Sequence, residues 1–298
     1  MSDIAAAPLP SGLPLRELAL RHGLGVAAER PSLAAYLTQV WKYRHFITTY
    51  ANAKVVASYG TSRLGRIWQV LTPLTNAAVY FLIFGVVLGT RQGIPNFVGY
   101  LCVGLFVFNY TQAVAQNGVQ ALSGNLGLIR ALKFPRACLP VAATVTQLQQ
   151  LLVAMVVLLG IVVVTGEPVR LEWLLILPGI FLVTVFNGGL ALILARLGAK
   201  AADIRQVLPF VLRTWMYGSG VFYSVDVFAE HLPKPVAAVV QANPLVVFIE
   251  IFRSALLVET PSMLPTGQLF IMAGGWAVLV GLAGFVFFWQ GEQGYGRG

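Results

Sequence analysis

Long apolar runs constrain this chain more than any other feature. A membrane-spanning helix needs about 20 mostly apolar residues. Six runs approach that length, near 69–89, 97–117, 140–164, 172–195, 206–225 and 268–289. The fifth is the least regular, because Arg213 interrupts it. Across 298 residues, 57% are hydrophobic and only 10% are charged. A soluble domain carries about 25% charged residues, so this chain has too few charges to coat a water-facing surface. The expected fold class is an all-α polytopic membrane protein with six transmembrane helices. Residues 1–30 lack the apolar core of a secretory signal, so the start is expected to be retained.

Charge sets the direction of the spans. Residues 1–68 hold eight Lys/Arg, the 118–139 loop holds Arg130, Lys133 and Arg136, and 196–205 holds Arg196, Lys200 and Arg205. The alternate segments are poor in bases: 90–96 hold only Arg91, and 226–267 hold two basic against four acidic residues. Positively charged loops stay cytoplasmic, which predicts both termini on that side of the membrane. The net charge of +9 is mostly this topology signal. Its bases are dispersed over juxtamembrane loops, so no nucleic-acid partner is expected.

Some segments do not read as plain spans. In residues 33–46, Leu33, Tyr36, Leu37, Val40 and Trp41 share one helical face ahead of Lys42, Arg44 and His45. That pattern predicts an amphipathic helix lying in the headgroup region of membrane lipids. The arm before it, 1–32, is expected to be a flexible cytoplasmic tail. The 118–139 loop is long, and its centre can form a short helix that Phe134-Pro135 stops. A rigid cytosolic element of this kind is a suitable handle for a soluble motor. Residues 236–258 are apolar enough for a seventh span, but Asn243-Pro244 divides them, and Asn and Pro suit the start of a new helix. Two short re-entrant helices between spans five and six are predicted instead, with their irregular backbone shielded by protein.

Polar and aromatic residues stand within the spans. Asn109, Thr111, Gln112, Gln116 and Asn117 lie on the second, Gln147, Gln149 and Gln150 on the third, and Asn187 on the fourth. Such groups face a partner helix or an aqueous path. Phe106, Phe108, Tyr110, Trp215, Tyr217, Phe222 and Tyr223 crowd spans two and five. They suit interfacial packing, and they equally suit a track for sugar rings, whose C–H faces stack on π-systems.

No GxxxxGK[ST] loop occurs, so nothing in this chain cradles ATP phosphates. HExxH and GxSxG are also absent. Cys102 and Cys138 lack CxxC spacing, and His22, His45 and His231 are unpaired at helical spacing. No catalytic residue and no metal site are expected.

Five segments, in order, resemble one family. SRLGRIWQVLTPL (62–74) looks like the LG-x-x-W-x-x-x-x-P approach to the first span of ABC-2 type permeases that export polysaccharides, through Leu64, Gly65, Trp68 and Pro73. LIRALKFPRACLP (128–140) is similar to that family's basic K-x-FPR stretch. ARLGAKAADIRQVLPFVL (195–212) resembles its AR-x-x-D-I stretch, with a longer insertion ahead of Asp203. GSGVFYS (218–224) resembles its aromatic exit from span five, and ANPLVVFIEIFRSALL (242–257) its external NP segment.

The resemblance implies the ABC-2, type V exporter fold over residues 33–298. It implies a non-enzymatic permease that pairs with a second copy of itself and with two nucleotide-binding ATPase subunits. ATP and Mg would bind those subunits, leaving this chain without a cofactor. Leu128, Arg130, Lys133, Phe134 and Arg136 would couple to the ATPases. A polyprenyl-linked polysaccharide would enter near Tyr36, Trp41, Tyr50 and Tyr59 and pass the aromatics named above. Asn243, Pro244, Phe248 and Arg253 would belong to a periplasmic gate. The sequence is similar to actinobacterial exporters of lipid-linked galactan, the cell-wall arabinogalactan precursor. An ABC-2 exporter of drugs or small lipids, and an intramembrane transferase, remain alternative readings.

Overall fold

The computed structural model describes residues 31–59, 67–87, 94–225, 233–259 and 264–295. Helices make up nearly all of the described residues, and no strand occurs among them. The chain opens with α1 (Leu33–Lys42), capped by Ser32, whose side chain accepts from the Ala35 N–H. The face expected to be uniformly apolar is divided. Tyr36 is buried and Val40 half-buried, whereas Leu37 and Trp41, also one turn apart, remain exposed. One stripe therefore packs on protein and the other is free to meet lipid headgroups.

Helix α2 (Arg44–Tyr59) follows after a break at Tyr43. Its Ile47 and Ala51 are buried, and Ile47 packs beside Cys138 and Ala142. Helix α3 (Ile67–Tyr80) continues as π-helical turns through Phe81–Val87. Helix α4 (Phe97–Gln120) starts at Asn96, whose side chain accepts from the Gly99 N–H at 2.9 Å. The same carboxamide donates to Thr165 and Glu167, tying this end of α4 to a distant loop.

A short helix, α5 (Leu126–Ala131), lies in the basic loop. It precedes α6 (Cys138–Val164), α7 (Ile176–Lys200) and α8 (Ile204–Tyr217). Two helices, α9 (Lys234–Gln241) and α10 (Pro244–Leu256), meet at a 63° bend. The last is α11 (Thr266–Gln290).

Four of these are long and apolar enough to cross a bilayer: α4, α6, α7 with the 3₁₀ turn before it, and α11. The fifth expected span differs. Helix α8 has 14 residues, about 21 Å at 1.5 Å per residue, against a hydrocarbon core of about 30 Å. Beyond it, residues 218–224 form turns around Gly220, whose φ is +63°. A Cβ there would lie 2.3 Å from the Val225 side chain, so only glycine suits this turn.

Helix α4 is the hub, with an almost wholly buried middle packed on α6, α7, α8 and α10. Beyond Gln147, helix α6 buries a single stripe, Leu151, Met155, Leu158 and Val162. It exposes Leu152, Val153, Val156 and Val163, an apolar outside that suits lipid. The most intimate packing joins α7 and α11. A Cβ on Gly189 would sit 2.2 Å from the Val280 carbonyl oxygen, and one on Gly284 2.2 Å from that of Gly189. Small residues let two backbones approach this closely, which is how membrane helices gain packing energy in the absence of a water-driven force.

Candidate functional site

Three helix stripes converge on a groove of about 420 Å³. From α4 come Phe106, Asn109, Tyr110, Gln112, Ala113 and Gln116, spaced to share one face. Helix α6 supplies Gln147, Gln150, Leu151 and Ala154, and α3 supplies Trp68, Thr72 and Asn76 at intervals of four. Lys, Arg, Asp and Glu are absent from this described lining. A second cleft of about 200 Å³ continues from it and shares Gln147. Tyr50, Lys54 and Ser58 of α2 face Asn117, Gln120 and Asn125 across it. Tyr50 donates a hydrogen bond to Asn125, and Lys54 lies 5.5 Å from the Tyr50 ring. The polar path thus runs from the end of the bundle carrying the basic loop into its apolar middle.

That basic loop is bound on three sides. The Tyr36 hydroxyl donates to Glu292 Oε2 at 2.6 Å and accepts from the Ala137 N–H at 3.2 Å. Glu292 Oε1 accepts from the Arg136 N–H at 3.1 Å, and the Arg136 guanidinium donates to the Glu292 carbonyl. Tyr43 donates to the Lys133 carbonyl, and Phe134 packs on Phe46 with ring centres 5.1 Å apart. Burial pushes the Glu292 carboxyl above its usual range, although its bonds to Tyr36 and Arg136 pull the other way. Burial, with Glu292 beside it, also pushes the Tyr36 phenol up. Nothing in the sequence marked Glu292 beyond its being a lone acid near the C-terminal end.

At the opposite end of α4, Arg253 is wholly buried on α10. It forms an ion pair with Glu250 at 3.0 Å and donates to the carbonyls of Tyr100, Gly220 and Val221. Its guanidinium lies 3.3 Å from the centre of the Tyr100 ring. Five rigid donors let arginine, unlike lysine, join three segments at once. The close fit extends to Gly104, where a Cβ would lie 2.9 Å from Arg253 Nη2. The bend between α9 and α10 is held similarly. Asn243 caps α10, accepts from the Trp215 indole and donates to the Gly218 carbonyl. The Trp276 indole of α11 donates to the Ala242 carbonyl.

The residues singled out from sequence therefore fall into separate places. Of the seven channel candidates, Phe106 and Tyr110 line the groove, while Phe108 faces the core and is fully buried. Trp215, Tyr217, Phe222 and Tyr223 gather around the 218–224 turn. There Phe222 lies 5.7 Å from Tyr217 and 5.1 Å from Tyr80, and Tyr223 donates to the Tyr217 carbonyl. Among the four intake candidates, Tyr50 lines the second cleft and Trp41 is exposed beside Arg44. Tyr36 is buried and bonded, so it offers no free surface. The Tyr59 side chain lies outside the described residues, as do Leu64 and Gly65.

Leu128, Arg130, Lys133, Phe134 and Arg136 share the bound loop, with Arg130 exposed on α5. Of the gate candidates, Asn243 and Pro244 begin α10, and Phe248 packs on Phe186. The carboxamides that α4 and α6 bring to the groove are legible in the sequence as polar positions within spans, whereas nothing in the sequence links Trp68, Thr72 and Asn76 with them. Among the described residues, no cluster of His, Cys, Asp and Glu could hold a metal ion.

An all-helical bundle with several bilayer-length apolar helices and a polar path inside it is a multi-pass membrane protein of transport type. The model of the ABC-2 type transporter family matches residues 47–257, and the chain belongs to that family. It is 25% identical over 208 residues to the O-antigen export system permease protein RfbA of Myxococcus xanthus, covering 70% of this chain and 78% of that one. It is 25% identical over 216 residues to an RfbA permease of Klebsiella pneumoniae, covering 71% and 81%. To the polysialic acid transport protein KpsM of Escherichia coli it is 23% identical over 200 residues, covering 67% and 76%.

Proposed function

We propose that this chain is the membrane-embedded permease of an ATP-driven exporter that moves a lipid-linked polysaccharide out of the cytoplasm. The bound basic loop carries the reading. Residues 126–137 are fastened to α1, to α2 and to the turn after α11, so a push on α5 would reach three elements at once. A motor bound there would transmit its stroke instead of dissipating it in a soft loop. The polar path opens at the same end of the bundle, as a cytoplasmic intake requires.

In this reading two copies pair, and two nucleotide-binding ATPase subunits dock on Leu128, Arg130, Lys133, Phe134 and Arg136, holding ATP and Mg. The chain itself is a permease, not an enzyme, and sits in the bacterial inner membrane with both termini cytoplasmic. Six crossings result when α3 with its π-helical continuation, and α8 with the turns after it, are counted with the four long helices. Helices α9 and α10 are the re-entrant gate. The export function named for the relatives supports a polysaccharide substrate, and resemblance to galactan exporters supports a galactan destined for arabinogalactan.

Depletion of the chain in its host, followed by separation of cytoplasmic from external glycan, tests this function. Accumulation of lipid-linked galactan inside is expected. Unchanged export, together with failure to co-purify any ATPase, would sink the reading.

A further inference from the structure

The groove between α3, α4 and α6 has a chemistry more specific than a polar path requires. Six carboxamides face it: Asn76, Asn109, Gln112, Gln116, Gln147 and Gln150. Several amides elsewhere are bonded within the protein. Gln149 donates to Asn52, Asn96 to Glu167, and Asn243 to Gly218. Those of the groove carry no such bond among the described residues, although Gln147 is only 8% exposed. Their polar atoms open onto the groove, where water or a ligand has to pair them. Helix–helix bonding, the ordinary use of an intramembrane amide, does not account for them.

The side chains also specify the ligand. A carboxamide both donates and accepts, so a hydroxyl can use both halves of it, whereas a carboxylate, which only accepts, uses the N–H half and leaves the amide oxygen facing its charge. Among the described residues no cation lines the groove, and Lys54 is the one that lines the adjoining cleft. An anionic polymer would have to leave water with no cation of the described lining to pair its charges. Trp68 adds an exposed flat face for sugar C–H groups, and Phe106 and Tyr110 border the groove although nearly buried. We infer that the groove is a binding site for a neutral, hydroxyl-rich glycan segment and that it discriminates against acidic polysaccharides. The alternative occupant is a second copy of the chain, which the cross-linking arm of the test below separates. The continuation through Gln147 into the cleft beside α2 favours a path over a closed contact.

This inference rests on the export reading and deepens it. The test uses the full chain in lipid nanodiscs, with a linear neutral galacto-oligosaccharide and an oligogalacturonate of equal length as probes. Binding is read from tryptophan fluorescence, to which Trp68 contributes. The neutral probe is expected to bind at least tenfold more tightly than the acidic one. The double variant Gln147→Leu/Gln150→Leu should lose that binding tenfold or more with Tm unchanged or raised, because it removes unpaired amides. Gln149→Leu breaks the bond to Asn52 and should lower Tm while leaving binding intact.

Equal or tighter binding of the acidic probe would overturn the inference. So would unchanged binding in the double variant, or a disulfide between two copies of Asn109→Cys that excess neutral probe fails to suppress. Export assayed alongside separates the two claims. If wild type exports polysaccharide and the double variant binds and exports as well as wild type, the site falls and the export reading stands. If selective binding is present but wild type exports nothing, the export reading falls and the site stands.

Discussion

The Tyr36 hydroxyl lies 2.6 Å from Glu292 Oε2, joining positions 256 residues apart. The bond fastens the interface helix to the turn after the last helix, with the Arg136 N–H as third member. Breaking it should loosen the loop expected to receive the motor. A hydrogen bond to a charged group contributes about 1.5–3 kcal/mol. Tyr36→Phe and Glu292→Ala are therefore expected to raise hydrogen exchange across 126–137 at least tenfold while leaving α4 and α7 protected. Unchanged exchange would show that the loop is held without this bond.

The same contact should respond to pH. Burial raises the Glu292 carboxyl above its unfolded value, outweighing the lowering effects of Tyr36 and Arg136. The folded state then holds this proton more tightly than the unfolded state. Its contribution is greatest below the unfolded carboxyl pKa, about 4.3, and is lost as pH rises through the higher folded value. Protection of 126–137 should therefore fall as pH rises from the ordinary carboxylate range through that higher value. Glu292→Gln keeps the polar shape without the titration and should flatten the profile. A profile that stays the same in Glu292→Gln would assign the pH response to another group.

Arg253 supports three segments and an ion pair. Removing one member of a buried pair costs about 3–5 kcal/mol, whereas replacing both by apolar groups costs far less. Arg253→Leu is expected to lower Tm sharply, and Arg253→Leu with Glu250→Leu to recover part of the loss. Arg253→Lys should also be destabilising, since an ammonium cannot span the carbonyls of Tyr100, Gly220 and Val221. A thermal shift assay in detergent would decide, and equal Tm in the single and double variants would contradict this account.

Gly189 and Gly284 place two backbones in contact. Overpacking costs about 1–3 kcal/mol where side chains can move, and here a new Cβ would meet backbone. Gly189→Val and Gly284→Val should each reduce assembled protein in the membrane by more than Gly274→Val, a position with open space around its Cβ. Similar yields for all three would mean that the α7–α11 contact can shift.

Much of this fold was legible because local pattern controls it. The apolar length of α4, α6, α7 and α11 and the Asn243-Pro244 start of α10 are statements about adjacent residues. Other features depend on tertiary contact. The apolar stretch around 206–225 does not reveal that Gly218 and Gly220 end the helix after 14 residues. Nor does aromatic content reveal that Phe108 faces the core while Phe106 and Tyr110 face the groove, although their spacing of two and four on a helix is consistent with that division. Tyr36 looked like one more residue of an amphipathic face. Only the position of Glu292 makes it a fastening point.

The central claim is that this permease moves glycan when a motor acts on residues 126–137. Inverted membrane vesicles holding the chain with its ATPase partner, supplied with radiolabelled lipid-linked galactan, test it most directly. Protease- and glycosidase-protected label should accumulate on adding ATP and Mg. It should fall at least tenfold with Arg136→Ala or Phe134→Ala at equal protein level. Accumulation without nucleotide, or none with it, would contradict the account.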